Sequence, residues 1–308
     1  MGIQQIIDRR SRDLGGGFVV GRVLPYTQCQ MVGPFIFFDH MGPLELTPGF
    51  SRKLDILPHP HIGLATVTYL YEGSLTHRDS LGFKQEIRPG EVNWMIAGKG
   101  ITHSERLEHA RAHGAIMHGI QAWVALPNEY EEMDPAFYHY HGMDELPEYH
   151  EEGITGCLIA GSVDGVTAGV KTHSPLFYLH WEMDMGARRS LGEQYPERAV
   201  YVARGEIEID GYKLTAGQMA VLQAGRAAEI VAILPSTVML LGGEPVGERY
   251  IYWNFVSSSR ERLEQAREDW RAQRMKLPAG DDQEFTPLPE ARKYPEDDNQ
   301  SNSAERES

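Results

Sequence analysis

The feature that most limits what this chain can become is its punctuation. Short β-branched or aromatic runs recur at 17–24, 35–38, 64–71, 84–88, 92–96 and 115–125, each bounded by Gly, Pro or other turn residues. They resume at 154–160, 176–183, 199–202, 206–209, 219–222, 228–233 and 237–241. No sustained helical period interrupts them, and closely spaced strands with turn signals between them predict an all-β sandwich or barrel. At 308 residues, the chain is long enough for two such domains.

The two halves resemble each other. Tyr69-Leu70-Tyr71-Glu72-Gly73 aligns with Tyr201-Val202-Ala203-Arg204-Gly205, and Arg88-Pro89-Gly90-Glu91-Val92 with Thr215-Ala216-Gly217-Gln218-Met219. The Gly73–Gly90 interval exceeds Gly205–Gly217, as a hairpin insertion in the first half would produce. A duplicated barrel follows, with 1–135 as a metal-binding barrel and 154–256 as a second barrel. The intervening residues are acidic and rich in proline from 127, and 136–153 form the connector proper. A helix is expected within 257–276, where Ser258 and Glu261 make a capping box. The acidic tail, 277–308, is expected to be mostly disordered.

Charge and cysteine content exclude several classes. A formal charge of -15 opposes direct nucleic-acid binding, which depends on basic side chains meeting phosphate. Two distant cysteines, Cys29 and Cys157, suit a reducing compartment. No apolar run approaches the ~20 residues of a membrane span, and the N-terminus lacks the apolar core of a signal peptide. The expectation is a soluble, cytoplasmic protein that contacts no membrane, with a protein partner left open.

Chemistry concentrates in two short motifs, His59-Pro60-His61 and His103-Ser104-Glu105. Residues at i and i+2 of an extended segment point to one face, and Pro60 biases its predecessor toward extension. Three imidazoles and a carboxylate suit Fe, Mn, Co, Ni, Cu or Zn better than Ca or Mg. Four protein ligands on an octahedral divalent transition metal leave two positions open for substrate. Other histidines read less well as ligands: His40 in a turn after a strand, His77 at a hairpin tip, and His139 and His141 in the connector with no second pair nearby. Counting from Tyr201 and Gly217, the second half carries Leu191, Glu193, Ile230 and Ala232 at the ligand positions, so that barrel has no ligand set.

These residues together resemble the pirin family. The resemblance runs from about residue 5 to 256 through Val32-Gly33-Pro34-Phe35, Asp39-His40-Met41-Gly42-Pro43, Pro58-His59-Pro60-His61-Ile62-Gly63 and His77-Arg78-Asp79-Ser80. It continues through Pro89-Gly90-Glu91-Val92-Asn93-Trp94-Met95, Ala97-Gly98-Lys99-Gly100-Ile101-Thr102-His103-Ser104-Glu105 and Gln121-Ala122-Trp123-Val124-Ala125-Leu126-Pro127. It implies two tandem cupin barrels and one metal, usually iron as Fe(2+), in the first, held by His59, His61, His103 and Glu105. Ordinary cupins place their glutamate a few residues after H-x-H; Ala65 and Thr66 stand there, so Glu105 takes the role as in pirins. Bacterial members imply a quercetin 2,3-dioxygenase, with a flavonol and O2 as substrates and Glu105 as general base. The animal member implies instead a metal-sensing regulator acting through protein partners, a role that the extension after residue 257 makes harder to transfer. A third possibility is another enolisable substrate. Phe35, Phe37, Trp94 and Met95 are candidates to wall a flat pocket, with barrel core as the favoured reading.

Overall fold

A computed structural model of the chain describes residues 2–289, leaving aside the side chains of 143 and 144. In the first half, Ala115–Ala125 lies at the centre of a seven-stranded antiparallel sheet, between Phe35–Leu46 and Leu64–Glu72. A smaller sheet faces it, with Ile56–His61, Ile101–Arg106, Leu75–Asp79 and Lys84–Ile87 side by side in that order. The second half repeats the plan. Its eight-stranded sheet includes Leu176–Met183, Glu197–Arg204, Gln218–Leu222 and Ser236–Gly243, and its small sheet runs Arg188–Leu191, Ala228–Ala232, Glu206–Ile209, Tyr212–Thr215. The chain is thus the expected all-β pair of tandem barrels with a short C-terminal helix, each barrel two facing sheets that do not join into a closed cylinder.

The paired glycines mark equivalent corners. Gly73 and Gly205 have φ of 84° and 87°, and Gly90 and Gly217 have 79° and 95°, a region open to glycine at little cost. A Cβ on Gly205 would lie 2.3 Å from the Pro235 carbonyl oxygen. Both intervals hold a hairpin. That of the second half turns tightly at Asp210-Gly211, both at positive φ as in a two-residue hairpin loop, whereas the first half inserts Ser80–Phe83.

The halves are interlocked. Ile3–Asp8 hydrogen-bonds to Gln218–Leu222 of the second large sheet before the chain enters the first half, with Ile6 opposite Ala220. The two large sheets pack face to face through aromatic pairs, Phe35 with Tyr178 at 5.4 Å and Phe38 with Tyr201 at 4.9 Å between centroids. Trp94, Tyr178 and Tyr201 are buried in this shared core. His40 belongs here too. It sits inside the long Phe35–Leu46 strand rather than in a turn, is 1% exposed, and meets Tyr201 Oη at 2.7 Å and His118 Nε2 at 2.8 Å. The strand continues through Gly42-Pro43 because Met41 to Leu46 keep pairing with Ala115–Gly119.

In the connector, Ala136–Tyr140 adds a strand to the edge of the first large sheet, against Val92–Ile96. The helix spans Arg260–Arg271 and buries Leu263, Ala266 and Trp270, spaced three and four apart. Its cap is Ser259, whose Oγ accepts from the Arg262 amide, not Ser258. Ser258 is taken by Glu131, which accepts its amide and hydroxyl hydrogens and pairs with buried Arg249.

The tail departs from expectation as far as it is described. Residues 277–289 lie against the first barrel, with Phe285 and Leu288 packed on the Trp270 cluster and the Thr286 amide donating to the Pro58 carbonyl at 2.8 Å. Buried Arg106 needs counter-charge, and Asp281 accepts two hydrogen bonds from its guanidinium at 2.5 and 2.8 Å. The expected disorder of 290–308 falls outside the described residues. Among the described residues no helix is long and apolar enough to cross a membrane.

Candidate metal centre

The small sheet of the first half brings the two motifs together by register. His103 stands opposite His59 on one side and Asp79 on the other, and Glu105 stands opposite His77. The i, i+2 rule then places His59, His61, His103, Glu105, His77 and Asp79 on one face of three adjacent strands. The ligand nitrogens of His59, His61 and His103 all lie within 4.8 Å of one another, and all three residues are buried. Glu105 lines the same cavity but falls outside that group, half-buried and without a hydrogen-bond or ion-pair partner among the described residues.

Hydrogen bonds on the far side of each ring fix which nitrogen is bare. His59 Nδ1 lies 2.8 Å from the Leu57 carbonyl, and His61 Nδ1 lies 3.1 Å from the Asn254 carbonyl. A carbonyl only accepts, so each Nδ1 carries the proton and each Nε2 offers a lone pair. His103 is set by a relay. His77 Nε2 donates to Asp79 Oδ2 at 2.9 Å, which leaves His77 Nδ1 to accept from His103 Nδ1 at 3.3 Å. His103 Nε2 is therefore bare as well, 3.1 Å from the bare Nε2 of His61. Two lone pairs facing each other repel unless a cation lies between them. Three converging neutral imidazoles are a donor set for a borderline transition metal, and they fit one here.

Burial reinforces the neutral form. It depresses the pKa of His59 to about 4, and burial with neighbouring histidines holds His61 and His103 well below the ordinary value. Burial acts oppositely on the carboxyl of Glu105, raising its pKa to about 7.

His77 and Asp79 are the functional-looking residues that spacing alone misplaced. His77 is 3% exposed inside the Leu75–Asp79 strand, and the turn begins only after Asp79, whose Oδ1 accepts the amides of Leu81 and Phe83. The available signal was the H-x-D spacing, which repeats the H-x-H alternation one strand over. Asn254 had no local signal, since its contribution is a backbone carbonyl from the second half's exit. The cavity wall is apolar, with Phe37 stacked on Trp123 at 3.8 Å and Arg22 over the Phe37 ring while paired to Asp39. Of the four aromatic and Met candidates, Phe37 lines the cavity; Phe35, Trp94 and Met95 lie in hydrophobic core. His139 and His141, with no second histidine pair expected near them, lie beside one carboxylate, Glu91.

The second half has no counterpart. The register equates His103 and Glu105 with Ile230 and Ala232, and His77 and Asp79 with Ile207 and Ile209. It equates His59 and His61 with Arg189 and Leu191, two residues earlier than counting from Tyr201 suggests, because the connection between those strands differs in length.

Comparison with known proteins agrees with this duplication. The Pirin family model matches residues 17–124, and the model of the Pirin C-terminal cupin domain matches residues 178–276. A pirin-like protein of Caulobacter vibrioides is 57% identical over 288 residues, covering 94% of this chain and all of that protein. Human Pirin is 30% identical over 273 residues, covering 85% of this chain and 89% of that protein. The crystal structure of quercetin 2,3-dioxygenase from Acinetobacter baumannii superposes with a TM-score of 0.86 at 34% identity, over 95% of this chain and 97% of that one. With both barrels matched in order and a relative aligned over nearly its whole length, the chain is a member of the pirin family.

Proposed function

We propose that this protein is a metal-dependent dioxygenase that opens a flavonol such as quercetin with O2, holding one divalent transition metal, most simply Fe(2+), through His59, His61, His103 and Glu105. The observation that carries the reading is the trio of bare Nε2 atoms at the floor of an aromatic-walled cavity. The likeness to a quercetin 2,3-dioxygenase structure at 34% identity supports it.

A metal in this site would acidify an enolic hydroxyl and supply the redox partner that O2 chemistry needs. The chain's own residues account for the rest. Glu105 is the base for that hydroxyl: it lines the cavity beside the three imidazoles, and no other side chain among the described residues engages its carboxyl. Phe37 and Trp123 offer apolar ring faces to a flat ligand, and Arg22, tied to Asp39, gives that wall a fixed cation. Trp253, Asn254 and Thr286 line the cavity from the C-terminal side.

O2 consumption with quercetin, by protein of known metal content and beside His61→Ala, tests the proposal. Metal-dependent uptake that disappears in the variant supports it. Bound metal with no uptake overturns it in favour of a metal-sensing regulator, whose Fe(II) and Fe(III) forms would differ in conformation or partner binding.

A further inference from the structure

A second group of ligand-type side chains lies outside the cavity. Ala136–Tyr140 pairs with Val92–Ile96 so that His139 is opposite Asn93 and Tyr140 opposite Val92. Continuing that register by one residue sets His141 against Glu91. The alternation that builds the first cluster therefore places His139, His141, Asn93 and Glu91 on one face at the sheet edge. Glu91 Oε2 lies 3.6 Å from His139 Nε2, and Glu91 Oε1 lies 3.5 Å from His141 Nδ1. These separations exceed hydrogen-bond lengths. One ligand atom from each of Glu91, His139 and His141 lies within 4.8 Å of the other two, close enough to share one ion.

A second observation points to a ligand. The side chain of His139 is 9% exposed, and its Nε2 is buried with no hydrogen-bond partner. On the other side of the ring, Nδ1 donates to Asn93 Oδ1 at 2.7 Å, so Nε2 is a bare lone pair aimed at a carboxylate oxygen. Two acceptors held apart in a buried place call for a cation. Glu91 is steadied for that role, because Oε2 also accepts the Arg88 amide at 2.8 Å across the preceding turn. His141 is positioned by its own amide, which donates to Glu145 Oε2 at 2.6 Å.

We infer that Glu91, His139 and His141 form a second metal site that takes one zinc-class divalent ion, with water in the fourth position. Two imidazoles and one carboxylate suit Zn2+ and leave Mg2+ and Ca2+ poorly served, since those ions require more oxygen ligands. Bound there, the ion ties the connector strand to the first barrel. That strand also carries Phe137, which stacks on His77 at 4.3 Å.

The test is zinc stoichiometry of the full chain, stripped with chelator, dialysed against Zn2+ at neutral pH and compared with His141→Ala. His141 is 63% exposed, so its loss spares the core. The wild type is expected to hold two equivalents and His141→Ala one, while His61→Ala/His103→Ala, which removes the other cluster, still holds the equivalent that depends on His141. Asn93→Ala, which frees the ring but keeps all three ligands, should weaken the second equivalent about tenfold. Cobalt in place of zinc should give intense tetrahedral absorption bands that disappear in His141→Ala. No zinc bound by His61→Ala/His103→Ala, or no loss of an equivalent in His141→Ala, would overturn the inference. Neither reading depends on turnover of quercetin, so failure here leaves the proposed dioxygenase untouched, and the reverse holds too.

Discussion

The two small sheets of this molecule share one topology and have opposite interiors. In the first half, the face of three adjacent strands carries His59, His61, His103, Glu105, His77 and Asp79; in the second, the equivalent face carries Arg189, Leu191, Ile230, Ala232, Ile207 and Ile209. Ile207, Ile209, Leu191, Ile230 and Ala232 are all buried in the second half's own core. The fold thus needs only a filled barrel, and apolar side chains fill it without any demand for partners. A polar interior demands that each lone pair be answered, and the first half answers through carbonyls, a carboxylate and, by proposal, a metal.

The comparison can be broken first at Glu105. Glu105→Gln keeps three imidazoles and an oxygen, so most of the metal should stay, while quercetin-dependent O2 uptake falls about 10²- to 10⁴-fold. Parallel metal analysis and oxygen electrode traces check this, and full retention of both would remove Glu105 from the role of base.

Exchanging residues between the two interiors sharpens the contrast. Ile230→His puts an imidazole where the second barrel offers no partner and should cost about 2–4 kcal/mol, seen as a lower denaturant midpoint. The reverse exchange, His103→Ile, should leave the metal-free fold within about 1 kcal/mol of wild type, since it removes repelling lone pairs. The same variant should hold no metal. If His103→Ile destabilised the metal-free chain as much as Ile230→His, the first interior would be a packing core like the second.

A smaller effect is expected one residue further out. Asp79→Asn leaves Oδ1 for the turn amides but weakens the acceptor that orients His77, and through it His103. Metal affinity should fall about tenfold by titration, with little change in thermal midpoint.

An effect confined to acid pH concerns the seam where the halves meet. Burial, then the nearby His118 and arginines, depresses the pKa of His40 to about 3, against 6.5 unfolded. Its folded pKa is the lower one, so its contribution is fully present above pH 6.5 and is lost as pH falls toward 3. The wild type should therefore lose stability on acidification more steeply than His40→Gln between those limits, by ~1–3 kcal/mol at pH 4.5. Parallel pH curves for the two proteins would remove His40 from this account.

Much of this was readable along the chain, and for a local reason. Strands such as Leu176–Met183 and Ala115–Ala125 are bounded by turn residues and rich in branched or aromatic side chains, so their bounds follow from neighbours in sequence. The H-x-H and H-S-E spacings put each pair on one face because a strand alternates with period two. His40 and His77 were misread for the opposite reason. Each sits near a turn in sequence, and only pairing with a distant strand shows that the strand continues through it.

The sequence by itself therefore determined the strand content, the duplication and the pairs of donors within each motif. Which pairs meet was decided by tertiary structure, because register between strands depends on the whole sheet. Tertiary structure also brought Asn254 to His61, Asp281 to Arg106 and Glu91 to His139, contacts that span 193, 175 and 48 residues of chain. It sent Ile3–Asp8 into the far barrel, where Gln218–Leu222 presents backbone donors and acceptors that the first strand completes. No local pattern encodes that partner, since an edge strand supplies the same hydrogen bonds to any strand that reaches it.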